Sequence, residues 1–129
     1  QRVLVLDDHE AILEVVTEAL RYEQFEVLAI RQGREFFSAV RDFGPDLILL
    51  DYKLADVNGG DLCRHLKEME AYRHIPVVIF SAYFNPGDPH QPEDCDGYLY
   101  KPFDLASLFE VVHHHLNNFS DRRFTKYPV

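Results

Sequence analysis

The sequence predicts an α/β fold, a parallel sheet with helices on both faces, and three observations carry that reading. Five short apolar runs rich in Val, Ile and Leu recur along the chain. Between them lie stretches with apolar residues at helical spacing. The runs themselves scarcely alternate, as in strands buried on both faces.

Residues 3–6 form the first run, and Ile12, Val15, Val16, Ala19 and Leu20 mark the apolar stripe of a first helix. A second run at 27–30 leads to a helix around 34–43, which Gly44-Pro45 stops. The third run, 47–50, precedes a helix around 61–72, and Pro76 opens the fourth run at 77–80. The pattern then breaks. From Asn85 to Asp96 the chain reads NPGDPHQPEDCD, and Pro86, Pro89 and Pro92 would each cost roughly 3 kcal/mol inside a helix. The fourth helix is therefore expected to be short, displaced or missing, and the segment to behave as a mobile loop. A fifth run at 98–100 precedes a last helix striped by Leu105, Leu108, Val112, Leu116 and Phe119. Right-handed crossovers turn this alternation into a parallel sheet, and five strands at this length favour the flavodoxin-like (βα)5 order 2-1-3-4-5.

At 129 residues the chain is one domain, drawn at 1–119 with a tail at 120–129. Apolar residues at 47% suffice for a core and exclude a disordered chain. The net charge of −9 repels phosphate backbones and anionic membranes, so no direct nucleic-acid or membrane partner is expected. No apolar run is long enough to cross a bilayer, and a cytoplasmic protein is expected. Cys63 and Cys95 are expected to be free thiols.

Ligands of open parallel sheets bind beyond the carboxyl ends of the strands, where strand order reverses. The residues at those ends are Asp7, Asp8, Asp51, Ser81 and Lys101. Three carboxylates at one edge repel one another unless a cation sits among them, and Mg²⁺ suits an all-oxygen set. Asp8 and Asp51 would bind it directly, Asp7 through water, and the Lys53 backbone carbonyl would complete the protein ligands. Asp51 can then act as a nucleophile toward phosphorus, with Lys101 neutralising charge and Ser81 hydrogen-bonding a phosphoryl oxygen. Singly each residue has a plainer role: Asp7 or Asp8 could cap the first helix, Asp51 open a turn, Ser81 end a strand, Lys101 face solvent. Together, five such residues at strand ends point to phosphoryl chemistry.

Those residues resemble the receiver domain of two-component response regulators, from Val3 to about Leu116. Val3-Leu4-Val5-Leu6-Asp7-Asp8 is similar to the family's first strand and acidic pair, and Pro45-Asp46-Leu47-Ile48-Leu49-Leu50-Asp51 to the strand ending in its phosphorylated aspartate. Asp56-Val57-Asn58-Gly59 resembles the turn that follows, and Ser81-Ala82 the Thr/Ser-Ala position. Gly97-Tyr98-Leu99-Tyr100-Lys101-Pro102-Phe103 resembles the lysine motif, with a cis Lys101-Pro102 bond. The resemblance implies Mg²⁺-dependent transfer of phosphate to Asp51 from a sensor histidine kinase or histidine phosphotransfer protein, a half-reaction the receiver catalyses itself. Ser81 and Tyr98, the position of the switch aromatic, would form the two-state element, and a partner would read the loop 83–96 with the fifth strand and last helix. No output segment is recognisable, so the chain reads as an excised or a stand-alone receiver.

Ala55 stands where the family often has proline, and Lys53 and Tyr83 fall where the family flanks the path of hydrolytic water. A phosphatase with an aspartate nucleophile needs an acid two residues on, where Lys53 stands, so a metabolic enzyme is excluded. A pseudo-receiver serving as a phosphorylation-independent binding module is the alternative, and the intact five residues argue against it. His113, His114 and His115 point about 100° apart in a helix and cannot converge on one ion. Phe36, Phe37, Phe43, Phe80, Phe84 and Phe109 are read as packing residues, and Arg122, Arg123 and Lys126 as a solvated basic tail.

Overall fold

The computed structural model describes residues 1–82, 84 and 87–120, the last four by backbone alone. Tyr83, Asn85, Pro86, the Phe119 side chain and the tail residues Arg122, Arg123 and Lys126 lie outside the described residues.

Five strands, β1 (Arg2–Leu6), β2 (Glu26–Ile30), β3 (Leu47–Asp51), β4 (Val77–Ser81) and β5 (Gly97–Tyr100), form one parallel sheet in the order β2-β1-β3-β4-β5. That is the predicted order, and its reversal lies between β1 and β3. Helices α1 (Glu10–Tyr22) and α4 (Leu105–Ser120) cover one face, α2 (Phe36–Phe43) and α3 (Gly59–Lys67) the other.

The strand side chains divide by parity between the two faces. Val3, Val5, Leu47, Leu49, Val78 and Phe80 meet α1 and α4, while Leu4, Leu6, Ile48, Leu50, Val77 and Ile79 meet α2 and α3. All of them are buried, which is why the runs read as continuous rather than alternating. Each such Leu, Ile or Phe contributes about 1.5–3 kcal/mol of burial.

Four helical details differ from the sequence expectation. In α1 the sheet-facing positions are Leu13, Val16, Thr17 and Leu20, and Val15 is 55% exposed. The 13-16-17-20 spacing is the better helical period, so Ile12 and Val15 fall on the flank. In α4, Leu105 is likewise exposed while Leu108, Val112 and Leu116 are buried. Helix α2 begins with a 3-10 turn at Gly33–Glu35, and α3 ends at Lys67 rather than continuing to Tyr72. Glu68 and Met69 close α3 with bonds to the Arg64, His65 and Leu66 carbonyls, and Tyr72 and Arg73 then bond back to Met69.

Gly44, at φ 66°, ends α2 with its N–H on the Val40 carbonyl. That left-handed stop is the one anticipated from Gly44-Pro45.

Between β4 and β5 no helix occurs among the described residues. The segment packs onto the domain all the same: Phe84 is buried with its ring edge-on to Tyr52, and the Tyr100 hydroxyl bonds Gln91. The histidines of α4 face different partners, although the His114 and His115 rings meet edge to face with centroids 4.9 Å apart. His113 nears Glu23, whereas the His115 ring nitrogens face the carbonyls of Val111 and Asp96. Of the aromatics, Phe36, Phe80 and Phe84 are buried, and Phe37, Phe43 and Phe109 pack against the two core layers.

Candidate functional site

Strand polarity brings Asp7, Asp51, Ser81 and Lys101 to one rim, because β1, β3, β4 and β5 all end there. Asp7, Asp51 and Ser81 are 0%, 4% and 3% exposed. Lys101 crosses to the carboxylates, its Nζ 3.0 Å from Asp7 Oδ2 and 3.5 Å from Asp51 Oδ1. Two features hold it there: its own N–H bonds the Ser81 carbonyl, and its ammonium stands 4.9 Å above the Phe80 ring. The Lys101-Pro102 bond is cis, as expected.

Neither Asp7 nor Asp8 caps α1. The N-cap is His9, whose side chain makes no cap bond, and Asp7 Oδ1 instead accepts the His9 N–H at 2.8 Å. The plainer reading of the acidic pair as a helix cap therefore fails. Asp8 is partly exposed, yet its Oδ1 atom is buried without a hydrogen bond, although His9 Nδ1 stands 3.3 Å away. Proximity without hydrogen-bond geometry leaves that oxygen unsatisfied.

His9 is the residue that sequence reasoning missed. One ligand atom from each of Asp7, Asp8, His9 and Asp51 fits within 4.8 Å of the others. Its position next to the acidic pair was the available signal. Three hard carboxylates and an orphaned buried oxygen suit a cation such as Mg²⁺.

The loop after β3 is tied down from two sides. Lys53 pairs with Asn58 in an isolated antiparallel bridge, and the Asn58 side chain caps α3 by accepting the Gly60 and Asp61 N–H groups. Asp56 accepts the Gly33 and Arg34 N–H groups at 3.0 Å each, and these bonds, Gly33's foremost, hold its carboxyl below the usual range. A Cβ on Gly33 would meet Val57 Cγ1 at 2.0 Å, so a larger residue here would have to push the Val57 side chain aside.

Burial pushes the Asp51 carboxyl up to about 6, and the neighbouring Asp7 charge adds to it. Lys101 opposes the shift by its charge and its hydrogen bond but is outweighed. Ionised Asp51 is thus held in a setting that favours any added positive charge.

A cleft of about 770 Å³ opens beside Asp51, lined on its apolar side by Ile12, Val15, Pro102 and Phe103. Tyr98 is partly buried in the α2–α3 layer and stacks on Tyr100, with ring centroids 6.3 Å apart.

Comparison with known proteins agrees with this geometry. The model of the response regulator receiver domain family matches residues 3–113. The polar-differentiation response regulator DivK of Brucella ovis is 29% identical over 118 residues, covering 90% of this chain and 96% of that protein. The receiver domain of a signal transduction histidine kinase from Syntrophus aciditrophicus superimposes with a TM-score of 0.83 at 25% identity, covering 93% and 92% of the two chains. The chemotaxis response regulator CheY4 of Vibrio cholerae, at 22% identity, shares the fold with a TM-score of 0.80 over 89% of this chain and 98% of its own. No helix among the described residues is long and apolar enough to cross a membrane. With the 2-1-3-4-5 sheet and the acidic rim beneath Lys101, these matches place the chain in the response regulator receiver domain family.

Proposed function

We propose that Asp51 accepts a phosphoryl group from a phosphohistidine of a sensor kinase or phosphotransfer protein, switching a protein-interaction surface. The observation that carries this is a buried carboxylate at the end of the central strand, beside two further aspartates and 3.5 Å from the Lys101 ammonium. An Asp51 oxygen forms the new P–O bond as the P–N bond breaks, and the electron pair returns to the partner's imidazole. Lys101 neutralises charge on the transferred group, and the Ser81 hydroxyl donates to one of its oxygens.

Asp8 and Asp51 would hold Mg²⁺ directly, with Asp7 acting through water and Lys53 through its backbone carbonyl. Bound there, the ion supplies charge neutralisation for the phosphoryl oxygens. The apolar cleft beside Asp51 offers room for the element that presents the partner's histidine. A cytoplasmic location follows from that class of partner, and at −9 the chain does not itself contact nucleic acid.

Treatment with acetyl phosphate or phosphoramidate and Mg²⁺, followed by intact mass measurement, tests the reading. Gain of one phosphoryl group is expected. No gain from either donor would favour the phosphorylation-independent binding module. In Asp8→Ala, divalent affinity is expected to fall at least tenfold by titration, because a hard cation loses a charged oxygen ligand. Wild-type affinity would move the metal elsewhere.

Ser81 and Tyr98 form the switch in this reading, with the loop 83–96 and β5 carrying the change to a partner. Hydrogen exchange should differ across that loop and Tyr98 with and without phosphodonor. Changes confined to other segments would reject this switch.

A further inference from the structure

His9 stands at a position whose usual work it does not do. It is the N-cap of α1, with extended backbone at φ −89° and ψ 108°, where Ser, Thr, Asn or Asp would accept a backbone N–H of the first turn. The His9 side chain makes no such bond. Its ring turns back to the acidic pair instead, with Nδ1 3.4 Å from Asp7 Oδ1 and 3.3 Å from Asp8 Oδ1. Those two carboxylates differ. Asp7 is engaged through both oxygens, since Oδ1 accepts the His9 N–H at 2.8 Å and Oδ2 accepts from the Lys101 ammonium at 3.0 Å. Asp8 Oδ1 is buried and accepts no hydrogen bond.

We propose that His9 Nδ1 is a direct ligand of the divalent cation at this rim, making it a mixed nitrogen and oxygen site that takes a transition-metal ion in preference to Mg²⁺. The inference rests on the metal site of the proposed function and names the class of ion that this site selects.

The spacing suits such a set. Ligands at right angles around an octahedral ion, with bonds of about 2.0–2.2 Å, stand roughly 3 Å apart. Asp8 Oδ1 and His9 Nδ1 are close to that separation, and one ligand atom from each of Asp7, Asp8, His9 and Asp51 lies within 4.8 Å of all the others. The His9 side chain is 69% exposed, so packing does not fix the ring against the small movement that would bring it onto an ion. Imidazole nitrogen is a good ligand for the later first-row divalent ions, whereas Mg²⁺ prefers carboxylate and water oxygens. A rim of oxygens alone attracts every divalent ion by charge. A ring nitrogen beside them separates the transition metals from Mg²⁺.

The test uses the full chain in metal-free buffer without phosphodonor. Electron spin echo spectroscopy with substoichiometric Mn²⁺ should show coupling to a directly bound imidazole nitrogen. The coupling should be absent from His9→Ala and from His9→Asn, which keeps a polar cap but offers no ring nitrogen, so that the second variant carries the test if the first does not fold. By calorimetric titration, Co²⁺ affinity should fall roughly tenfold or more in His9→Ala while Mg²⁺ affinity changes less than about threefold. A nitrogen signal that survives in both variants belongs to another histidine and would overturn the proposal. Equal losses of Co²⁺ and Mg²⁺ affinity would do the same, as would tighter binding of both ions, which would make His9 a counter-charge to the carboxylates. Binding that depends on Asp8 but shows no nitrogen coupling would remove His9 and leave the oxygen site standing, whereas no divalent binding would overturn both. Phosphoryl uptake at Asp51 is read separately by mass, so failure of that reading is told apart from failure of this one.

Discussion

Replacing Asp51 by asparagine is expected to abolish phosphoryl uptake and, in metal-free buffer, to make the protein more stable than the wild type. The first outcome follows because the amide lacks the anionic oxygen that attacks phosphorus. The second follows from the strained charge of the site. Burial and Asp7 raise the folded Asp51 carboxyl to about 6, whereas in the unfolded chain it titrates near the ordinary aspartate value of about 4. Between these values the folded state holds a proton that the unfolded state has released, so wild-type stability falls as pH rises from about 4 to 6. Above pH 6 the deficit is constant at on the order of 3 kcal/mol. Asparagine does not titrate and escapes it.

Denaturant melts at pH 4 and pH 8 with a chelator present check this. The two proteins should converge at pH 4 and separate at pH 8 in favour of Asp51→Asn, and divalent cation should shrink the gap. Unchanged labelling of the variant would remove Asp51 as the acceptor. A variant less stable at pH 8 would mean that the charge is not under strain.

The second large effect is expected at Gly59→Ala. A Cβ there would stand 2.0 Å from the carbonyl oxygen of Asp51 and 3.0 Å from both its carbonyl carbon and Tyr52 Cα. These are backbone atoms and cannot rotate away. The Gly59 N–H also bonds the Tyr52 carbonyl at 2.6 Å, clamping the loop against the strand end from the other side. Relief requires moving the backbone that carries Asp51, at about 1–3 kcal/mol, or a melting temperature lower by roughly 5–10 °C. Phosphoryl uptake should slow at the same time, since Asp51 shifts relative to Lys101 and the acidic pair. Thermal melts and the rate of mass gain with phosphodonor read both effects. A variant with wild-type melting and labelling would show that the loop yields without disturbing Asp51.

The sequence by itself determined the sheet, its order and the convergence of Asp7, Asp8, Asp51, Ser81 and Lys101 on one rim. Strand runs buried on both faces leave an unambiguous apolar signal, and the handedness of crossovers then settles where each strand ends. It also determined that the proline-rich stretch forms no helix among its described residues, since a ring without an N–H excludes the helical bond locally.

Tertiary structure alone decided the rest. That Val15 lines a cleft while Leu13 enters the core depends on the angle at which α1 lies on the sheet, and Ile12, Leu13, Val15 and Val16 are all apolar in sequence. The place of His9 beside the carboxylates depends on the turn that Asp7 makes with its backbone. The raised Asp51 carboxyl has the same origin: neighbouring strands exclude water from it, and solvation is a property of the assembled rim rather than of the residue.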